Sequence, residues 1–263
     1  MSVPMLLARA RSLQARFLPH GLLDVVRQVL LFAAAYYAYR LVRGWIDDPQ
    51  DATVAFANAR HLIHFEQTLG FFVEPSVQAW ASTKPAIIDF ASWVYLNCQT
   101  SVTLGALVFL YLFHNKSFYF VRNMFAVAMW TANLGFMLFP TAPPRFFPEW
   151  GFTDSVANLT HVGHDSVAVN SLVNQYAAIP SMHVAFALMI AIPLARLATH
   201  RVTRVFWTVY PFLVTFVIIS TANHFLTDAI LGACTAGFGA WTATALARAR
   251  PAAWRFSPAK ATA

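Results

Sequence analysis

Charge is what this sequence has least of. Only 11% of its 263 residues are Asp, Glu, Lys or Arg, where an average soluble domain has about 25%. That shortage excludes an ordinary water-soluble globule. Cysteine is nearly missing too. Cys98 and Cys234 both fall in apolar stretches, and two isolated cysteines exclude a disulfide framework or a cysteine-based metal site. They are expected to be buried free thiols. No internal repeat and no low-complexity tract is present.

What the chain has instead is apolar surface. It is 58% hydrophobic, with 24 Phe, 8 Trp and 8 Tyr, and its mean hydropathy is +0.54. Runs of about 20 apolar residues are long enough to cross a bilayer core, and abundant aromatics suit interfacial anchoring. The pattern predicts an all-α fold, an integral membrane bundle of about six transmembrane helices. The predicted spans are 22–43, 86–112, 118–139, 181–198, 205–222 and 224–246. Residues 1–20, with Arg9, Arg11 and Arg16, read as a basic juxtamembrane arm. The apolar run after them is too long for a signal-peptide core of about 7–15 residues. The membrane domain runs over 21–246. Within it, 47–85 is too polar to span and predicts helices at 54–69, stopped by Gly70, and at 75–83, interfacial or packed over the bundle. Residues 140–179 form a polar loop, and 247–263 a basic tail.

The net charge of +7 raises nucleic acid as a partner, but the positions of the charges argue otherwise. With the N-terminus inside, the N-terminal arm with the start of the first span (Asp24 and Arg27), 113–122, 196–204 and the tail collect 13 of the 18 Lys and Arg against one acid, Asp24. This is the positive-inside pattern. It predicts both termini in the cytoplasm and excludes nucleic acid as the expected partner. Three polar clusters then fall on the opposite, extracytoplasmic face: PTAPPR (140–145), AAIPSMH (177–183) and NHFLTD (223–228). Polar groups beside long apolar runs are costly, which makes function the default reading.

Each cluster has a chemical and a plain interpretation. His224 and Asp228 are four apart, on one face of a helix. The carboxylate can fix the imidazole tautomer and leave Nε2 as base or nucleophile; a structural His–Asp pair is the alternative. Ser181 reads as an N-cap, and its helix end suits phosphate with His183 beside it as a proton donor. An ordinary cap with an interfacial histidine has the same pattern. Arg145 is the only Lys or Arg in 140–180. It suits bidentate phosphate binding, or snorkelling to lipid headgroups. The prolines before it predict an extended chain. Together these are the parts of a phosphoryl-transfer site working through a phosphohistidine, with no cofactor. His61 and His64, and His161 and His164, have near-ligand spacing. Neither pair has a third ligand close in sequence, and no metal site is expected.

The order Arg, Pro-Ser-x-His, His-x-x-x-Asp resembles the type 2 phosphatidic acid phosphatase superfamily, which includes lipid phosphatases and vanadium haloperoxidases. The forms PTAPPR, AAIPSMH and NHFLTDAILG look closer to the branch with inositol phosphorylceramide synthases and sphingomyelin synthases. ANARHLIHFEQTLGFFVEPSVQ is similar to a segment of bacterial members of that branch. The likeness spans about residues 54–232. It implies a six-helix membrane core, His224 as nucleophile, Asp228 as its partner, His183 as acid and base, and Arg145 with Ser181 as phosphate ligands. Two positions depart from the phosphatase pattern. Leu138 stands where a Lys precedes the arginine by seven, with Phe146 following Arg145, and Ile218 stands where an Arg precedes the nucleophile by six. Fewer cations fit the synthase-like, inositolphosphotransferase-like branch better.

The expected activity is a metal-independent lipid phosphatase or phosphotransferase, acting on a lipid phosphate ester with water, an alcohol or another lipid as acceptor. Its expected location is a bacterial cytoplasmic membrane. The alternative from another class is a membrane transporter or scaffold using the same polar groups. Asp154 and Asp165 read as solvated loop acids or as groups that hold a polyol.

Overall fold

In the computed structural model, the described residues are 18, 20–45, 49–160 and 176–249. The basic arm (apart from Leu18 and His20), the basic tail, His161, His164 and Asp165 lie outside them. The described chain is helical. Its helices are α1 (Gly21–Trp45), α2 (Pro49–Thr68), α3 (Glu74–Ser82), α4 (Pro85–Phe113), α5 (Asn115–Leu138), α6 (Ser155–Thr160), α7 (Met182–Leu197), α8 (Arg201–Ser220) and α9 (Leu226–Ala249). Short 3-10 turns at Pro144–Phe146 and Pro148–Trp150 follow α5.

Four helices are long and apolar enough to cross a membrane: α1 over Gly21–Ala38, α4, α8 and α9. The other two predicted spans differ for opposite reasons. α5 has 24 residues but carries Lys116, Arg122 and three asparagines. α7 is apolar but has 16 residues, about 24 Å of helix at 1.5 Å per residue, short of a bilayer core of about 30 Å. Four apolar helices fit a membrane protein. The outward faces agree, since Leu104, Val108, Phe212, Phe238 and Trp241 are exposed.

Local sequence explains the breaks. α2 stops at Gly70, whose φ of +76° suits glycine. Phe71 N–H donates to the Glu66 carbonyl at 3.0 Å and Gly70 N–H to that of Gln67 at 3.1 Å, the paired bonds of a Schellman stop. Pro85 begins α4 at a first-turn position, where its missing N–H costs nothing.

The bundle is centred on α5, α7 and α9. Small residues let them approach. Ala229, Gly232, Ala236, Gly239 and Ala243 make a buried stripe along α9, the kind of surface that packs helices where lipid removes the hydrophobic drive. A Cβ on Gly232 would lie 2.3 Å from the Ser181 carbonyl oxygen, and one on Gly135 would lie 2.7 Å from Pro180 Cδ. Both glycines are therefore required by the backbone that leads into α7.

A second core sits at the end of the bundle where α7 and α9 begin. Ala55, Ala59, Leu62 and Ile63 of α2 pack with Phe147 and Phe152 of the loop and with Ile179, Ala222 and Phe225. α2 thus packs as a lid over the loop segments. Asn58 Nδ2 donates to the Pro140 carbonyl at 2.8 Å, and Gln78 of α3 makes two bonds to the Thr153 backbone. Thr141 N–H donates to the Tyr176 carbonyl at 2.8 Å, which ties the two ends of the long loop together.

Two smaller expectations change. Arg145 itself lies in a 3-10 turn, and the extended chain stops just before it, with Thr141 in a parallel bridge to Ala177 and Pro143 at ψ 159°. Cys98 is half-buried and Cys234 exposed on α9, both free. Cys234 faces outward because the buried face of α9 is taken by its small-residue stripe.

Candidate active site

The three polar clusters meet at the end of the bundle covered by the second core. Their meeting is built from backbone first. Arg145 N–H donates to the Ala222 carbonyl at 2.9 Å, and Ser181 N–H donates to the Asp228 carbonyl at 3.0 Å. PTAPPR is thereby pinned to the turn before α9, and AAIPSMH to the first turn of α9.

His224 is not on the helix, as its spacing to Asp228 suggested. α9 begins at Leu226, and His224 lies in the preceding turn. The pair still forms: His224 Nδ1 is 3.1 Å from Asp228 Oδ2, and both side chains are buried. The same Oδ2 accepts the Phe225 N–H at 3.0 Å. Asp228 therefore folds back to cap its own helix and holds the histidine by the same oxygen. Its other oxygen, Oδ1, is buried with no hydrogen-bond partner. Ala222, two residues earlier, has φ 53°, a left-handed conformation that costs a non-glycine residue about 1–2 kcal/mol. The burial of Ala222 in the second core holds that strain in place.

His183 stands in the first turn of α7. Its ring centroid is 5.4 Å from that of His224, edge to face. Its other side is covered by Tyr95 of α4, stacked at 4.6 Å and 22° between planes. Ser181 occupies the N-cap position of α7, but its side chain makes no capping bond. Its Oγ is buried and unpartnered. The cap expected from sequence is therefore present in position and missing in its hydrogen bond.

Arg145 donates through Nη1 in a short hydrogen bond to Asn223 Oδ1. Asn223 is held in turn by its Nδ2, which donates to the Thr221 hydroxyl at 2.9 Å and carbonyl at 3.1 Å. Asp154 Oδ2 is 3.7 Å from Arg145 Nε, and its Oδ1 accepts the Ala157 N–H at 2.8 Å. This overturns Asp154 as a solvated loop acid: it orients the arginine and caps α6.

Sequence reasoning missed four contributors. Asn223 and Tyr95 had no separate signal, because an Asn beside a His and a Tyr in an apolar span are both common. Glu66 and Glu74 did have one. They are two acids in a chain with few, and both are fully buried at 0% exposure. Glu74 Oε1 accepts the Leu226 N–H at 2.6 Å, and Glu66 Oε1 accepts the Thr227 N–H at 2.8 Å. Burial and the facing Glu66 carboxyl push Glu74 up to about 8 from an ordinary 4.5.

The profile of the PAP2 superfamily matches residues 60–242, more than half of the chain. Comparisons with curated proteins and with solved structures find no match.

Proposed function

The chain belongs to the PAP2 superfamily, whose members are generally phosphatases, and we propose that it is a membrane enzyme acting on lipid phosphate esters through a phosphohistidine. The observation that carries this reading is the buried His224–Asp228 contact at 3.1 Å with the His183 ring 5.4 Å from that of His224. A histidine held through Nδ1 by a carboxylate keeps its lone pair on Nε2 and is stabilised when the ring becomes cationic.

In the first step, His224 Nε2 attacks phosphorus and forms the P–N bond. The P–O bond to the leaving alkoxide breaks, and protonated His183 gives that oxygen its proton. Asp228 stabilises the phosphoimidazolium. In the second step, His183 takes the proton of water or of an alcohol. The freed oxygen attacks phosphorus, the P–N bond breaks, and its electron pair returns to Nε2. Arg145, the Ser181 hydroxyl and the first-turn N–H groups of α7 bind the phosphoryl oxygens. Asn223 and Asp154 orient the arginine. Preorganised donors of this kind supply much of the rate of such reactions.

The motif forms favour the inositolphosphotransferase-like branch, with an alcohol as well as water as acceptor. The packing of α5 and α7 against the four apolar helices supports a reading with six spans, and the charge bias supports a site on the extracytoplasmic face of a bacterial cytoplasmic membrane, with both termini inside.

The test is phosphorus-31 and mass analysis of purified protein in lipid micelles. Phosphatidate, a prenyl diphosphate and phosphatidylinositol are offered with and without diacylglycerol, ceramide or a polyol, beside His224→Ala. Free phosphate that needs His224 identifies a phosphatase. A new phosphodiester that needs His224 and the acceptor identifies a transferase. No His224-dependent product from any donor overturns the reading.

A further inference from the structure

Two carboxyl groups that no step of this reaction uses converge on the first turn of α9, the helix that follows His224 and carries Asp228. α2 and α3 deliver Glu66 and Glu74 to consecutive N–H groups of α9, those of Leu226 and Thr227, two and three residues after His224. Both side chains are fully buried. Burying even one ionised carboxylate costs several kcal/mol. A helix start is capped well enough by one Ser, Thr, Asp or Asn, and α9 already has Asp228 on the Phe225 N–H. Two further buried acids exceed what capping needs.

Their free oxygens say how the pair is tolerated. Glu66 Oε2 and Glu74 Oε2 are both buried with no hydrogen-bond partner. One proton held between the two carboxyls satisfies both atoms at once and leaves one negative charge. A single charge there faces the positive end of α9. Two charges would repel each other in a buried site, as in any close carboxylate pair.

We propose that Glu66 and Glu74 form a one-proton clamp that grips the first turn of α9 and positions His224 and Asp228 for reaction. The clamp rests on the reading of His224 as the nucleophile. It makes the two glutamates positioning residues, acting through the Leu226 and Thr227 backbone. It also links the lid to the chemistry, because the fold of α2 and α3 over the bundle is what delivers the carboxyls.

Loss of the shared proton loosens the grip. The raised value of Glu74, about 8, places that loss on the alkaline side of neutrality. The charged groups facing the pair are few. Glu66 faces Glu74 from α2, and Asp228 faces Glu66 from α9. Asp89 of α4 and Arg201 and Arg204 of α8, the other helices packed on α3, are exposed, as are Arg60, His61 and His64 of α2.

The test compares Glu66→Gln, Glu74→Gln, Glu66→Ala and Glu74→Ala in the full chain, in the micelles and with the donor found above. Glutamine keeps an oxygen for the backbone N–H and an N–H for its neighbour. Each Gln variant is expected to hold kcat within about threefold of wild type. Each Ala variant is expected to lose more than about tenfold in kcat with KM little changed, the mark of an interaction realised in the transition state. Hydrogen exchange of the 222–229 segment, corrected for the chemical rate, supplies a second measurement. Protection of Leu226 and Thr227 should fall in wild type between about pH 7 and 9 and stay level in Glu74→Gln. Ala variants with wild-type kcat, Gln variants as impaired as Ala, or pH-independent protection in wild type would overturn the clamp. If wild type shows no His224-dependent turnover, the functional reading fails by itself, and the exchange measurement still decides whether the clamp exists.

Discussion

α7 and α9 begin side by side at the same end of the bundle, and their first turns are treated in opposite ways. α9 is saturated with the protein's own carboxyl groups: Asp228 on the Phe225 N–H, Glu74 on Leu226 and Glu66 on Thr227. α7 starts with Ser181, whose Oγ is buried and bonded to nothing among the described residues. Both ends carry the positive pole of a helix dipole, which attracts anions. In α9 that pole is neutralised internally, so it stabilises the fold and holds His224. In α7 no side chain caps it among the described residues, and in the function proposed above it takes the phosphoryl group together with Arg145, which is tied to the Ala222–Asn223 turn. The lesson is that a helix start near a candidate site binds an external anion only where the protein has not already supplied one.

The comparison breaks most completely at the turn joining the two ends. His224→Ala should lower turnover by about 10³-fold or more, and Asp228→Asn by about 10²–10⁴-fold, because each removes part of one unit. Steady-state kinetics of the folded variants check this. Trapping of a phosphorylated chain from labelled donor should be lost in His224→Ala.

Separating the two helices is the next largest change. Gly232→Leu must push Ser181 away, since even a Cβ there stands 2.3 Å from its carbonyl oxygen. Overpacking of this kind costs about 1–3 kcal/mol, and turnover should fall with it. Thermal unfolding in micelles and activity measured together will show both. Gly237→Leu on the open side of α9, where a Cβ meets nothing within 4 Å, should change neither.

Ser181→Ala sharpens the contrast by sign. Removing a buried, unpaired hydroxyl relieves a desolvation penalty of about 1–3 kcal/mol, so the variant should unfold no lower than wild type. It should nonetheless bind phosphate ester more weakly, with KM raised about tenfold and inhibition by vanadate weakened. A variant as active as wild type would remove Ser181 from the phosphate site.

The remaining effect is in the pH dependence of stability. Glu74 is raised to about 8 in the folded protein from 4.5. Between these values the folded state binds more protons than the unfolded one, so stability falls as pH rises through that window and levels off above it. Glu74→Gln should flatten the fall. Melting temperature against pH for the two proteins measures the difference.

How much of this was legible in the sequence follows from which interactions are local. Helix positions were readable because apolar runs, Gly70 and Pro85 act within a few residues. The His224–Asp228 pair was readable as a spacing, although not its geometry: a turn with Ala222 at positive φ replaced the helix that the spacing implied. Asp154 was misread because its partner, Arg145, is joined to it only by the fold of the loop. Glu66 and Glu74 were visible as acids, but their partners lie 152 and 161 residues away in sequence, and nothing local says which backbone they will meet.

The sequence by itself determined an apolar helical protein with five chemically capable side chains, since hydropathy and residue chemistry are properties of the chain alone. Tertiary structure decided that Arg145, Ser181, His183, His224 and Asp228 share one place. It also decided which helix end is filled and which is open. Such choices rest on long-range backbone hydrogen bonds and on the absence of a Cβ at Gly232 and Gly135, and contacts of that kind exist only once the helices have packed.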